Sequence, residues 1–258
     1  MAFISTEGLT IGYKLSKGAE KPVMQDMNLQ LEGGGLTCLL GLNGTGKSTL
    51  LRTLCGILPP LRGKVLVEGR PIGSYTKAEL ARIIGIVLTD KTSAGGITIR
   101  ELVSMGRYPF TDFFGRLADK DEDIVTEAMK AVGIDHKAAE YVSRVSDGER
   151  QKAFIAKALA QECRTIILDE PTAFLDIKSR IEVLDLLLDL AHSQGKAILL
   201  STHDLEAAVR SADTLWIQDS EQGAMICGAP SALASTGAFR RIFGKKAGTM
   251  VLEALEGR

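Results

Sequence analysis

Leu36-Thr37-Cys38-Leu39-Leu40 runs directly into Gly41-Leu42-Asn43-Gly44-Thr45-Gly46-Lys47-Ser48-Thr49, and the fold of the chain is decided there. The first five residues are nearly all apolar, as a strand covered on both faces requires. The next nine fit G-x-x-x-x-G-K-[ST]. Glycines let the backbone curl until successive N–H groups face one anion. A helix predicted over 47–55 adds the positive end of its dipole to the same point. Lys47 offers a point charge for the β- and γ-phosphates of a nucleotide, and the Ser48 hydroxyl a ligand for Mg²⁺. A glycine-rich turn with no ligand would not need to sit between an apolar strand and a helix. The whole run from Gly41 to Thr49 (Gly41, Leu42, Asn43, Gly44, Thr45, Gly46, Lys47, Ser48, Thr49) is therefore the candidate phosphate site.

Towards the N-terminus, Phe3–Ile11 and Val23–Leu31 alternate apolar and polar residues, the pattern of half-buried antiparallel strands. Residues 14–21 between them are polar and contain glycine, which predicts a surface loop. Beyond the phosphate site, 63–68 and 83–88 predict further strands. From Thr98 to about Ala160 the spacing turns helical, interrupted by a predicted loop over 106–117 that carries Tyr108, Pro109, Phe110, Phe113 and Phe114. Strand and helix then alternate at 165–168, 178–190, 197–201 and 205–210, the signature of parallel β/α units.

Bulk properties narrow the function classes. The 258 residues suffice for a sizeable core, and 45% hydrophobic with 24% charged residues is ordinary for a globular protein. Lys+Arg (31) and Asp+Glu (32) cancel, so no nucleic-acid partner is expected. The four cysteines are scattered without a CxxC pair, which predicts buried free thiols in a reducing compartment. No secretory leader and no uncharged apolar run of about 18–20 residues is found, so a cytoplasmic chain is expected that serves a membrane only by docking.

A second chemical element is Thr165-Ile166-Ile167-Leu168-Asp169-Glu170. It puts two carboxylates at the carboxyl end of a predicted parallel strand, where such sheets bind ligands. Asp169 is placed to hold Mg²⁺, and Glu170 to orient or deprotonate an attacking water. With both elements in place, the chain resembles the ATP-binding cassette family, the motor subunits of ABC transporters. Val145-Ser146-Asp147-Gly148-Glu149-Arg150-Gln151 is similar to its LSGGERQ signature. Asp169-Glu170-Pro171-Thr172, followed by Phe174-Leu175-Asp176, resembles the Walker B and D-loop run. Ser201-Thr202-His203-Asp204 resembles the switch-histidine segment, and Tyr13 stands where the family has its adenine-stacking aromatic.

The resemblance implies an α/β fold: a P-loop NTPase core with an N-terminal antiparallel β subdomain and a helical insert. It covers residues 1–258 as one unit, with 1–88 and 161–258 forming the core and 89–160 the helical subdomain. It also implies ATP with Mg²⁺ and a head-to-tail homodimer. In that dimer Ser146 and Gly148 of one copy meet the γ-phosphate bound by the other, His203 contacts that phosphate and the catalytic water, and Asp176 crosses the interface. Catalytic roles fall to Glu170, His203 and Lys47, and metal contacts to Ser48, Asp169 and Thr89. Met105-Gly106-Arg107-Tyr108-Pro109-Phe110 with Phe114-Gly115-Arg116 resembles a segment of importer cassettes for iron–siderophore, haem and cobalamin. Integral-membrane permease subunits and, indirectly, a solute-binding protein are the implied partners. A non-transport ABC ATPase, or an ATP-gated binding module without efficient hydrolysis, is the alternative.

Two departures stand out. Thr89 takes the place of the Q-loop glutamine, and its shorter hydroxyl arm predicts contact only through a bridging water. Asp147 replaces the first signature glycine and is expected to cap the helix, pointing away from the nucleotide.

Overall fold

In the computed structural model, which describes residues 2–42, 44–88, 96–111, 116–219 and 223–256, two sheets share the chain. The first is antiparallel and runs β2-β1-β5-β6. Its strands are β1 (Ala2–Lys14), β2 (Glu20–Met27), β5 (Arg62–Val67) and β6 (Arg70–Pro71), and β3 (Gln30–Glu32) also pairs with β1. The expected strand over 23–31 is thus two, parted at Asn28-Leu29. Here Thr6 Oγ1 donates to the Met27 carbonyl and accepts from the Leu29 N–H, so the chain turns around a buried side chain. The expected loop over 14–21 holds a 3₁₀ turn, Ser16–Gly18, and gives way to β2 at Glu20.

The second sheet runs β11-β10-β4-β9-β8-β7, parallel except for β11. Its strands are β4 (Gly35–Leu40), β7 (Ile84–Val87), β8 (Thr165–Asp169), β9 (Ala197–Thr202), β10 (Thr214–Asp219) and β11 (Ala224–Gly228). Alternate residues of each inner strand enter different cores. Leu168, Leu200 and Ile217 join one cluster while Ile167, Leu199 and Trp216 join the other. That double burial is why β4, β8 and β9 read as continuous apolar runs.

Helix α1 (Lys47–Leu54) follows β4, and α2 (Lys77–Ile83) precedes β7. Between β7 and β8 lie α3 (Ile99–Ser104), α4 (Asp119–Ala131) and α5 (Asp147–Ala160), packed on one another. Helices α6 (Ile177–His192) and α7 (Leu205–Ser211) follow β8 and β9. After β11 come α8 (Pro230–Ser235), α9 (Ala238–Phe243) and α10 (Lys245–Glu256). The predicted loop from 106 begins instead inside a 3₁₀ helix, Met105–Phe110. The buried Arg107 holds it: its guanidinium donates to Asp121, Glu162 and the Ala160 carbonyl and lies 4.1 Å from the Phe110 ring centroid. Phe113 and Phe114 fall outside the described residues. Cys38, Cys55 and Cys163 are buried free thiols as expected, whereas Cys227 is exposed.

Candidate nucleotide site

The strand order places three loops side by side. β4 is hydrogen-bonded to β9 and β9 to β8, so their carboxyl ends bring together Gly41, Ser201–His203 and Asp169–Glu170. A cleft of about 890 Å³ opens there, lined among others by Tyr13, Gly44, Lys47, Ser48, Asp169 and Glu170.

The loop from Gly41 depends on its glycines. Gly46 has φ +101°, and a Cβ there would lie 2.2 Å from Val23 Cγ1. Only glycine permits both the turn into α1 and its closeness to β2. The Thr45 hydroxyl donates to the Leu42 carbonyl at 2.8 Å. Lys47 Nζ donates to the carbonyls of Gly41 at 2.8 Å and Leu42 at 3.2 Å, and stands 3.8 Å from Glu170 Oε1. Burial pushes its ammonium below the ordinary lysine value, while Glu170 and Asp169 pull it back up. Leu42 is exposed, Thr49 is buried, and Asn43 lies outside the described residues.

Opposite, Asp169 ends β8 and is nearly buried. Register pairs it with Ser201 of β9, and the Ser201 hydroxyl donates to Asp169 Oδ1 at 2.6 Å. Ser201 Oγ in turn accepts the Glu170 N–H at 2.9 Å. Glu170 has φ +47°, the left-handed region that a side chain seldom adopts, and this hydrogen bond helps hold it there. Its Oε1, 3.8 Å from Lys47 Nζ, also lies 3.6 Å from His203 Nδ1. His203 is 56% exposed. Asp204, the next residue, caps α7 and binds Arg180 of α6 at 2.8 Å.

Tyr13 is 44% exposed, and its hydroxyl bonds to Thr49 Oγ1 at 2.9 Å, so the ring stands on the cleft wall rather than in the core. Sequence reasoning missed Ser201 as a site residue, and also Lys21, Arg52 and Gln218, which line the same cleft. Lys21 is brought to the cleft by its pairing with Tyr13 in the β1–β2 register, which no local pattern in the sequence signals.

The signature residues do not line this cleft. Ser146 caps α5 by accepting from the Glu149 N–H at 3.3 Å, while Glu149 Oε2 accepts from the Ser146 N–H and hydroxyl at 2.9 Å each. Asp147 is therefore not the cap, contrary to expectation. It is the first residue of the helix, exposed and paired with Arg150. A Cβ at Gly148 would lie 2.6 Å from Ser179 Oγ, so the glycine lets the start of α5 pack against the start of α6. Asp176 caps that second helix through the Ser179 N–H and hydroxyl. Beside it, Phe174 is 82% exposed with φ +64°. Thr89 lies outside the described residues.

Comparison with known proteins agrees with this arrangement. Residues 24–173 match the ABC transporter family. The chain is 40% identical over 244 residues to the ferric enterobactin transport ATP-binding protein FepC of Escherichia coli (strain K12), covering 95% of this chain and 88% of that protein. It is 38% identical over 210 residues to the iron(3+)-hydroxamate import ATP-binding protein FhuC of Bacillus subtilis (strain 168), covering 81% and 76%. The structure of cbiO1 from Clostridium perfringens, part of the ABC transporter complex cbiONQ, superposes with a TM-score of 0.77 at 29% identity, over 93% of this chain and 94% of that one. With the family match over residues 24–173, these identities and the shared fold in agreement, the chain belongs to the ABC transporter family as an ATP-binding cassette.

Proposed function

We propose that this cassette hydrolyses ATP to drive import of an iron chelate or cobalamin through a membrane permease, working at the cytoplasmic face as a head-to-tail homodimer. The observation that carries the reading is the convergence on one cleft of Lys47, Asp169 and Glu170, with Glu170 3.8 Å from Lys47 and 3.6 Å from His203. Siderophore and hydroxamate relatives support the solute class. No described helix is long and apolar enough to cross a membrane, so the pore falls to permease subunits fed by a solute-binding protein.

In this reading Tyr13 stacks on adenine, and the N–H groups of residues 41–49 cradle the phosphates. Lys47 releases the Gly41 and Leu42 carbonyls to meet the β- and γ-phosphates. The donor set fits Mg²⁺: among the groups that line the cleft, Ser48 offers a hydroxyl and Asp169 a carboxylate. Mg²⁺ prefers few protein oxygens together with phosphate oxygens and water, and no group of three or more acidic, His or Cys side chains that could hold a metal occurs among the described residues. When bound it would neutralise charge developing on the phosphates. Glu170 takes the proton of the water that attacks the γ-phosphorus, and His203 holds the carboxylate and the phosphate in register. Thr89 would reach the metal through water.

Ser146 and Gly148 lie away from the cleft, the first exposed and the second packed against the start of α6, and Asp176 lies beside them. A second copy turned head to tail brings them to the γ-phosphate. Residues 89–160 act as the helical subdomain, and the apolar groove of Ile57, Leu80, Met105, Tyr108 and Pro109 receives the permease. The test is phosphate release by the wild type against Glu170→Gln. The variant is expected to bind ATP but release about 10²-fold less phosphate or below; equal release from both would end the enzyme reading.

A further inference from the structure

Helix α5 opens with two carboxylates, Asp147 and Glu149, at the end that the head-to-tail reading turns towards a partner's triphosphate. The helix dipole favours them, but a polyphosphate is repelled by them. Both are paired. Asp147 meets Arg150 on its own helix. Glu149 Oε1 meets Lys137 Nζ at 2.6 Å, and Lys137 comes from a separate 3₁₀ turn, Asp135–Lys137, between α4 and α5. The remaining oxygen of Glu149 is the acceptor for the Ser146 hydroxyl. The signature serine therefore already donates its hydroxyl hydrogen bond to a carboxylate of its own chain.

We propose that Lys137 is a positioning residue that neutralises Glu149, so that Ser146 can turn its hydroxyl from Glu149 to the γ-phosphate of a nucleotide held by a second copy of this chain. The inference rests on the head-to-tail reading above. Glu149 loses one donor when Ser146 turns away, and it keeps Lys137 and the Ser146 N–H. Without Lys137 the carboxylate holds the hydroxyl more tightly and presents an uncompensated charge to the incoming phosphate. With Lys137 in place, its contact and then the Ser146 N–H push the Glu149 carboxyl down to about 2, so the group that holds the Ser146 hydroxyl is a carboxylate. The pair is partly solvent-exposed, 33% and 29%, so its contribution to folding is small, and a defect on its removal is one of association.

The test uses full-length chain carrying Glu170→Gln to slow hydrolysis, with ATP-driven dimerisation followed by light scattering at low salt. Added Lys137→Met is expected to raise the ATP concentration at half-dimerisation roughly tenfold, an effect that salt shrinks. Lys137→Arg is expected to behave like the parent, and Glu149→Gln added to Lys137→Met to restore dimerisation. Binding of a fluorescent ATP analogue to monomeric chain is expected to be the same in all of them. Lys137→Gln replaces Lys137→Met if the latter does not fold. Dimerisation of Lys137→Met at the parent's ATP concentration, or no rescue by Glu149→Gln, overturns the inference alone. A parent that stays monomeric at saturating ATP overturns the head-to-tail reading, and the inference with it.

Discussion

Replacing Ser201 by alanine removes a single oxygen, yet that oxygen joins both acids of the site. Ser201 is fully buried in β9, donates to Asp169 Oδ1 at 2.6 Å and accepts the Glu170 N–H at 2.9 Å. The first bond is to a carboxylate, worth about 1.5–3 kcal/mol, and the second is neutral, worth about 0.5–1.5 kcal/mol. Their loss is expected to cost about 2–4 kcal/mol in all, some of it because a part-buried N–H goes unpaired. With an m-value of about 2–3 kcal/mol per M, the urea midpoint falls by about 1 M. Trp216, the only tryptophan and fully buried in β10, reports the transition by fluorescence. Glu170, held at φ +47° partly by this bond, is then free to relax, and a displacement near 1 Å is expected to lower kcat about 10–10²-fold. KM for ATP is expected to change little, since the Ser201 hydroxyl bonds to Asp169 and Glu170 and not to the phosphate loop. A variant with an unchanged midpoint and unchanged kcat would refute the view that Ser201 sets the geometry of the two acids.

Other consequences lie outside the cleft. Arg107→Met leaves Asp121 without its cation in the clasp beside the Met105–Phe110 segment, and is expected to destabilise the chain by about 3–5 kcal/mol, measured in the same urea assay. A loss under about 1 kcal/mol would place the Arg107 network among surface pairs of little weight. Glu149→Gln tests the pairing at α5 through pH. The folded carboxyl sits at about 2 against an ordinary 4.5, so the stability it contributes is full above pH 4.5 and is lost as pH falls towards 2. The difference in Tm between wild type and variant is expected to be constant at higher pH and to shrink below 4.5; a difference that grew on acidification would contradict the assignment.

Much of the site was legible in sequence because its parts are local. The phosphate loop is one continuous run, and the strand before it is apolar throughout because both faces are buried. Asp169 and Glu170 were marked by the strand they end. What stayed hidden depends on register between distant segments. Ser201 reaches Asp169 only because β8 and β9 pair Asp169 with Ser201, and Lys21 reaches the cleft only through its pairing with Tyr13. Asp147 was expected to cap α5, since an acid at a helix start suits the dipole. Ser146 with Glu149 three residues on forms the reciprocal cap, which the S-x-x-E spacing carried all along. Where the sequence predicts loop from 106, the 3₁₀ helix Met105–Phe110 leaves no local mark, because its cause, the buried Arg107 clasp, draws on Asp121, Ala160 and Glu162 from elsewhere in the chain.

The central claim, that each ATP site is shared between two copies, is tested most directly by mixing two inactive chains. One carries Lys47→Ala, which disables its own phosphate loop, and the other Ser146→Arg, which blocks its signature. Each alone is expected to be inactive. In a mixed dimer the intact loop of one copy faces the intact signature of the other, so an equal mixture should regain about a quarter of wild-type ATPase if the two sites act independently. An inactive mixture whose subunits demonstrably exchange would contradict the account, as would full activity in Ser146→Arg alone.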